Sequence, residues 1–226
     1  MNKEESHLLI EKQYQKLHKV FGSKIKTDEM LLLLHDQKEV VRQAFYEEEF
    51  PKVEKFCQER NIHFCKSKFK VILFDEETGN FSNKGIVVKE DDKRPAAHFY
   101  YFSKSEEKSY LANYYELTDN VKEFGLLLGY PRCCVRYFMQ NFSANNPNPE
   151  LSQLNIKVGS GDTDVEKVHP TLNLSKRGND AVLISHFPCN ANCSASIEIA
   201  EQNLLFIKQN FRGRAQELVK ILNIMD

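Results

Sequence analysis

The chain has 226 residues, of which 41% are hydrophobic and 28% charged, so its composition is that of a globular protein rather than a disordered or fibrous one. The 31 Lys and Arg balance 32 Asp and Glu, which excludes a bulk electrostatic attraction to nucleic acid or to anionic membranes. The first residues carry no apolar signal segment, and no run approaches 18 apolar residues. We therefore expect a cytoplasmic protein that does not engage a membrane.

Helices are predicted to dominate the first 61 residues. Apolar spacing predicts a helix over residues 4–20, and an N-cap followed by acidic residues predicts a second over 27–35. A capping-box-like start and four apolar positions predict a third helix over 36–45. A proline at its first position predicts a fourth over 51–61.

The pattern changes at residue 62 and predicts β structure. Residues 63–74 alternate and end in an apolar run, while 85–89 and 97–102 are further strand candidates. Residues 76–80 read as a turn. Three strands this close in sequence predict a small antiparallel sheet.

Helical periodicity returns after residue 105. Five helices are predicted there, over residues 106–117, 121–128, 131–142, 194–211 and 214–224. The third of them has Pro131 at its first position. Residues 143–180 show little periodicity and are expected to form a long surface excursion, and 181–186 form a short strand or extended segment.

These elements together predict an α+β fold that is mostly helical, with a small antiparallel sheet of about three strands. We expect residues 1–104 to hold the N-terminal helices and the sheet. Residues 105–226 would form a helical cysteine-site region that contains the long loop 143–180. The alternative is one continuous domain.

Six cysteines are the most informative residues of the chain. Four of them form two tight pairs, each with a proline shortly before it and each at a predicted helix start: Cys133 and Cys134, and Cys189 and Cys193. Helix starts offer unpaired N–H groups and a partial positive charge, which favour thiolate. The isolated Cys57 and Cys65 are expected to be buried or chemically idle.

We interpret the four paired cysteines as ligands of one metal or cluster. His186 is an alternative ligand or an acid–base group, while Arg132 and Arg136 would stabilise thiolate or bind an anionic substrate. Bond lengths exclude a shared site if the sulfurs of the two pairs lie far beyond ~10 Å from one another.

Three interpretations of this site stay open. An iron–sulfur cluster, expected to be 4Fe-4S, would support redox or sulfur-handling chemistry. A zinc site with three cysteine ligands and one histidine, or with four cysteine ligands, would define a structural interaction module without catalysis. A metal-free pair would act as a thiol nucleophile or in thiol exchange, with His186 as its base. We favour the cluster, because adjacent cysteines rarely both reach one tetrahedral ion, whereas they can serve separate irons.

Two sequence blocks resemble a known family. LLLGYPRCCVRYF (126–138) and HFPCNANCSAS (186–196) are similar to the signatures of an uncharacterised prokaryotic family, domain of unknown function 483. Its pattern is Leu-Gly-Tyr/Phe-Pro-x-Cys-Cys-x-x-x-Phe, followed by His-x-x-Cys-x-x-x-Cys-x-x-Ser. The resemblance covers about the C-terminal half of the chain. It implies a functional site at these cysteines without implying a reaction.

Partners are the least defined aspect of the sequence. A substrate or redox partner is expected at the cysteine site, but its identity and the oligomeric state are not encoded in any motif. A basic stripe near the C-terminus reads as a solvated helix face, with RNA contact as a minor alternative; it comprises Lys208, Arg212, Arg214 and Lys220.

Overall fold

Contacts divide the chain into two units in this computed structural model, which describes residues 3–75, 80–89, 91–142 and 168–224. The first unit combines Met1–Leu32 with Glu150–Asp226, and the second is the continuous segment Leu33–Pro149. The boundary predicted near residue 104 lies inside the second unit.

Eight α-helices lie within the described residues. They are α1 (Lys3–Phe21), α2 (Lys24–Leu34), α3 (Phe50–Arg60), α4 (Glu106–Leu117), α5 (Val121–Leu127), α6 (Arg132–Asn141), α7 (Ser194–Asn210) and α8 (Arg212–Leu222). Each corresponds to a helix predicted from the sequence, with ends that differ by three residues or fewer. Three short 3-10 turns add to them, at Glu47–Glu49, Pro170–Leu172 and Leu174–Asn179.

Five strands lie in the described part of the second unit. They are β1 (Val40–Phe45), β2 (His63–Lys66), β3 (Lys70–Asp75), β4 (Asn80–Val88) and β5 (His98–Ser103). An antiparallel sheet has the order β1-β5-β2, and all six residues of the aromatic central strand β5 are buried. β3 and β4 form an antiparallel pair, and an isolated bridge joins Val71 to Ala97 just before β5. The predicted α+β fold with a small three-stranded antiparallel sheet is therefore confirmed.

One predicted helix is wrong. Residues 40–45 form β1 and pair with β5 along their whole length, from Val40 opposite Ser103 to Phe45 opposite His98. Their apolar spacing fits a helix, but two consecutive β-branched residues at its start favour a strand, and long-range pairing decides the outcome. The predicted turn over 76–80 falls largely outside the described residues.

Helix α4 packs on the sheet and leads the chain towards the first cysteine pair. It contacts β1, β2 and β5, α5 packs on α4, and α6 packs on α5. A buried apolar cluster lies in this unit, made of Val40, Val71, Phe99, Tyr101, Ala112 and Leu128. Tyr130, which immediately precedes Pro131 and α6, packs against that cluster. The approach to α6 is thus anchored to the core of the unit.

The first unit contains a buried ion pair. Arg214 of α8 donates from Nη2 and Nε to Asp28 Oδ2 of α2 at 2.7 and 2.9 Å, and Tyr14 of α1 donates its hydroxyl to Asp28 Oδ1 at 2.8 Å. Arg214 is only 3% exposed, so the interpretation that placed it in a solvated basic stripe is wrong. Because burial of two charges is costly, this pair is stable only with the hydrogen bonds that satisfy it.

A carboxylate distant in sequence caps α2. Asp180 accepts hydrogen bonds from the Ser23 hydroxyl and from the backbone N–H groups of Lys24 and Ile25. Burial alone would raise the pKa of Asp180, but these hydrogen bonds hold it below its ordinary value. Capping by a negative charge also complements the helix dipole.

The segment that precedes the second cysteine pair is packed rather than looped out. Residues 143–167 of the predicted excursion lie outside the described residues. The remainder forms the two C-terminal 3-10 turns, with Thr171, Leu172 and Leu174 buried, so for residues 168–180 the predicted surface excursion is wrong. Residues 181–186 are an irregular segment with buried apolar side chains and not a strand.

Candidate metal centre

Four sulfur atoms come together in this protein. The Sγ atoms of Cys133, Cys134, Cys189 and Cys193 all lie within 4.8 Å of one another. The adjacent Cys133 and Cys134 have their Sγ atoms 3.8 Å apart. The spacing is far inside the ~10 Å limit for a shared site. These four cysteines could therefore hold a metal ion.

A tight turn between α5 and α6 positions the first cysteine pair. Helix α5 ends in a Schellman motif, in which the N–H of Tyr130 donates to the carbonyl of Gly125 and that of Gly129 donates to Leu126, both at 3.0 Å. Gly129 has φ +78°, which a residue with a Cβ adopts only with strain. Pro131 then occupies the N-cap of α6, one position before the helical position predicted for it.

Close helix packing fixes where α6 begins. A Cβ at Gly125 of α5 would lie 2.7 Å from Cγ2 of Val135, so only glycine permits this approach of α5 and α6. Val135 follows Cys134 directly. The position of the cysteine pair therefore depends on a glycine in the preceding helix.

Helical periodicity separates the two adjacent cysteines. Cys134 and Val135 are buried, whereas Arg132, Cys133 and Arg136 are exposed. Residues 133 and 136 are neighbours on one face because they are three positions apart. The predicted positive charges therefore lie on the same exposed side of α6 as Cys133.

The second cysteine pair lies on a loop that is tied to the first turn of α7. His186 Nε2 lies 2.8 Å from the Ser196 hydroxyl, and both residues are buried. Cys193 is the N-cap residue of α7, as the sequence predicted for a cysteine at a helix start. The N–H of His169 donates to the carbonyl of Ala191 at 3.0 Å and holds the loop from its other side.

Asn190 organises the loop between Cys189 and Cys193. Its Nδ2 donates to Cys189 Sγ at 3.5 Å, and its Oδ1 accepts the backbone N–H of Asn192 at 3.0 Å. A hydrogen bond to a cysteine sulfur orients it, as outer-shell contacts do in metal sites. The second pair thus has its own supporting contacts.

The remaining two cysteines lie outside the cluster. Cys57 is fully buried, and burial raises the pKa of its thiol to about 12. Burial also raises the pKa of the half-buried Cys65 thiol. The raised pKa disfavours the thiolate form of both side chains, and Cys57 is buried as expected.

Some supporting residues were missed by the sequence analysis. Ser196 is the partner of His186, and Gly125 permits the approach of α5 to α6. A signal existed for Gly125, because an isolated glycine inside a helical pattern often marks a close packing contact. His186 was expected as a ligand or acid–base group, but the cluster of potential ligands that the described residues form consists of the four thiols.

Fold and site together define an α+β protein with a four-cysteine cluster that could hold a metal ion. No family model, no curated protein and no solved structure matches the chain. None of the helices in the described ranges has the length and hydropathy that a membrane crossing needs.

Proposed function

We propose that this chain is a metal-binding protein whose four-cysteine centre holds one zinc ion. The spacing of the sulfurs carries the proposal. A tetrahedral zinc ion with Zn–S bonds of about 2.3 Å keeps its sulfurs about 3.8 Å apart. The Sγ atoms of Cys133 and Cys134 are 3.8 Å apart, and all four lie within 4.8 Å of one another.

The same spacing argues against the cluster that the sequence favoured. In a cubane cluster each thiolate binds a separate iron corner, so the four sulfurs stand further apart than sulfurs that share one ion. Adjacent cysteines were expected not to reach one ion together. The distance between the Sγ atoms of Cys133 and Cys134, however, equals the distance between two sulfurs bound to one tetrahedral zinc ion. We therefore propose zinc in place of the iron–sulfur cluster.

Four thiolates complete a tetrahedral shell, and a complete shell is typical of structural zinc sites. In this proposal His186 is a positioning residue, because its Nε2 lies against the Ser196 hydroxyl and secures the loop that carries Cys189 and Cys193. Six cysteines with no disulfide in the described residues suit a reducing, cytoplasmic location. Membership of the family that the two motifs resemble is part of the same proposal.

Elemental analysis of the full chain, purified without oxygen, tests the proposal. We expect a colourless protein with one zinc ion per chain. Cys134→Ser should lose the zinc, since a buried ligand is removed. Cys65→Ser is the matched control and should retain it, because Cys65 lies outside the cluster. A brown protein that contains iron and inorganic sulfide, or a chain without metal, would contradict the proposal.

A further inference from the structure

The four sulfurs of the centre differ in their access to solvent. Cys134 and Cys193 are 2% and 4% exposed, and Cys189 is half-buried. Cys133 is exposed, since it lies on the outer face of α6. An incoming reagent therefore meets the centre at the sulfur of Cys133.

The charge around Cys133 is positive along α6. Arg132 precedes it, and Arg136 lies one turn further on the same exposed face. The helix contains no Asp or Glu, and its N-terminus adds a partial positive charge. A zinc ion with four thiolates carries two net negative charges, which these two arginines offset. An anion can then approach the sulfur without net repulsion.

We propose that Cys133 is the reacting thiolate of the centre and that it accepts an alkyl group from an anionic electrophile. This inference rests on the proposed zinc site, because a coordinated thiol is held deprotonated and the thiolate is the nucleophilic form. The Cys133 sulfur attacks the electrophilic carbon and forms a C–S bond. The bond from that carbon to its leaving group breaks, and the leaving group departs with the electron pair. The product is a thioether, and no oxidant or reductant takes part.

A pair of alkylating agents that differ in charge tests the inference. Zinc-loaded protein is treated with a limiting amount of iodoacetate or of iodoacetamide, and peptide mass spectrometry locates the modified cysteine. We expect Cys133 to be modified first by both reagents. In Arg132→Gln/Arg136→Gln the rate with iodoacetate should fall about tenfold relative to that with iodoacetamide, because electrostatic attraction is lost.

A second double variant controls for net charge. Lys52→Gln/Lys55→Gln removes two exposed positive charges from α3 and should leave the ratio of the two rates unchanged. Modification of another cysteine before Cys133, or a rate ratio that is insensitive to the two arginines, would overturn the inference.

Zinc content measured on the same samples separates this inference from the proposed function. A chain without zinc refutes the zinc site. If Cys133 is still modified first in that chain, with the same dependence on Arg132 and Arg136, Cys133 is the reactive thiolate without a zinc ion. If the labelling is unselective in that chain, both fail.

Discussion

Replacement of Arg214 by methionine tests how the first unit tolerates a buried charge. The side chains of Arg214 and Asp28 are 1% and 6% exposed, and two hydrogen bonds join them. Methionine fills much of the same volume but removes the counter-charge, so a buried carboxylate loses its ionic partner. Removal of one member of a buried pair costs about 3–5 kcal/mol. We expect the free energy of unfolding at neutral pH to fall by about that amount.

The pH dependence makes this prediction sharper. Burial raises the pKa of Asp28 from 3.8 to about 6, although the charge of Arg214 and the hydrogen bonds from Arg214 and Tyr14 lower it in part. The folded state therefore retains a proton that the unfolded state has released, so the contribution of Asp28 to wild-type stability falls as pH rises from 3.8 to about 6 and then levels off. In Arg214→Met this pKa rises further. The difference in stability between the two proteins should then grow by about 1.4 kcal/mol per pH unit above the wild-type pKa.

Urea denaturation of the wild type and of Arg214→Met measures this difference. It is carried out at about one pH unit below and about two units above the wild-type Asp28 pKa. The exposed neighbour provides the control, and Arg212→Met should change stability by no more than about 0.5 kcal/mol. A loss in Arg214→Met that is equal at all pH values would refute the role assigned to the Asp28 carboxylate.

Two further substitutions test the supports of the metal centre. Gly125→Ala places a Cβ 2.7 Å from a methyl carbon of α6, so we expect a loss of about 1–3 kcal/mol and weaker zinc binding in chelator competition. Gly178→Ala should preserve both, because an added Cβ there would meet no atom within 4 Å beyond the neighbouring residues of the chain. Ser196→Ala removes the hydroxyl that contacts buried His186. We expect the free energy of unfolding measured in urea to fall by about 1–3 kcal/mol and the zinc affinity to fall as well. Unchanged zinc affinity would refute the positioning role of His186.

Local sequence signals were sufficient for most helices and for the cysteine pairs. Pro131 and Gly129 signalled the start of α6, and the first cysteine pair and Cys193 are at helix starts, whereas Cys189 lies on the loop before α7. These features depend on a few neighbouring residues, so a single sequence contains the information. The same locality explains the failure at β1, where the strand is decided by a partner almost 60 residues later.

Contacts that span the chain could not be predicted in this way. Asp28 and Arg214 are 186 residues apart, and nothing near either residue signals the other. A lysine- and arginine-rich helix was naturally assigned to solvent, and only the fold shows that Arg214 points inward. The separation of the four sulfurs is of the same kind, since residue types identified the candidate ligands but their distances depend on the fold.

The discontinuous first unit has a consequence for synthesis in the cell. The amide of Ile25 in α2 pairs with a carboxylate that lies 155 residues later. At about 5–20 residues per second, a ribosome needs roughly 10–30 s to supply it. During that interval the continuous second unit can complete its own core. The apolar residues of α1 and α2 that are buried in the folded unit therefore stay without their final packing partners until the last third of the chain has emerged.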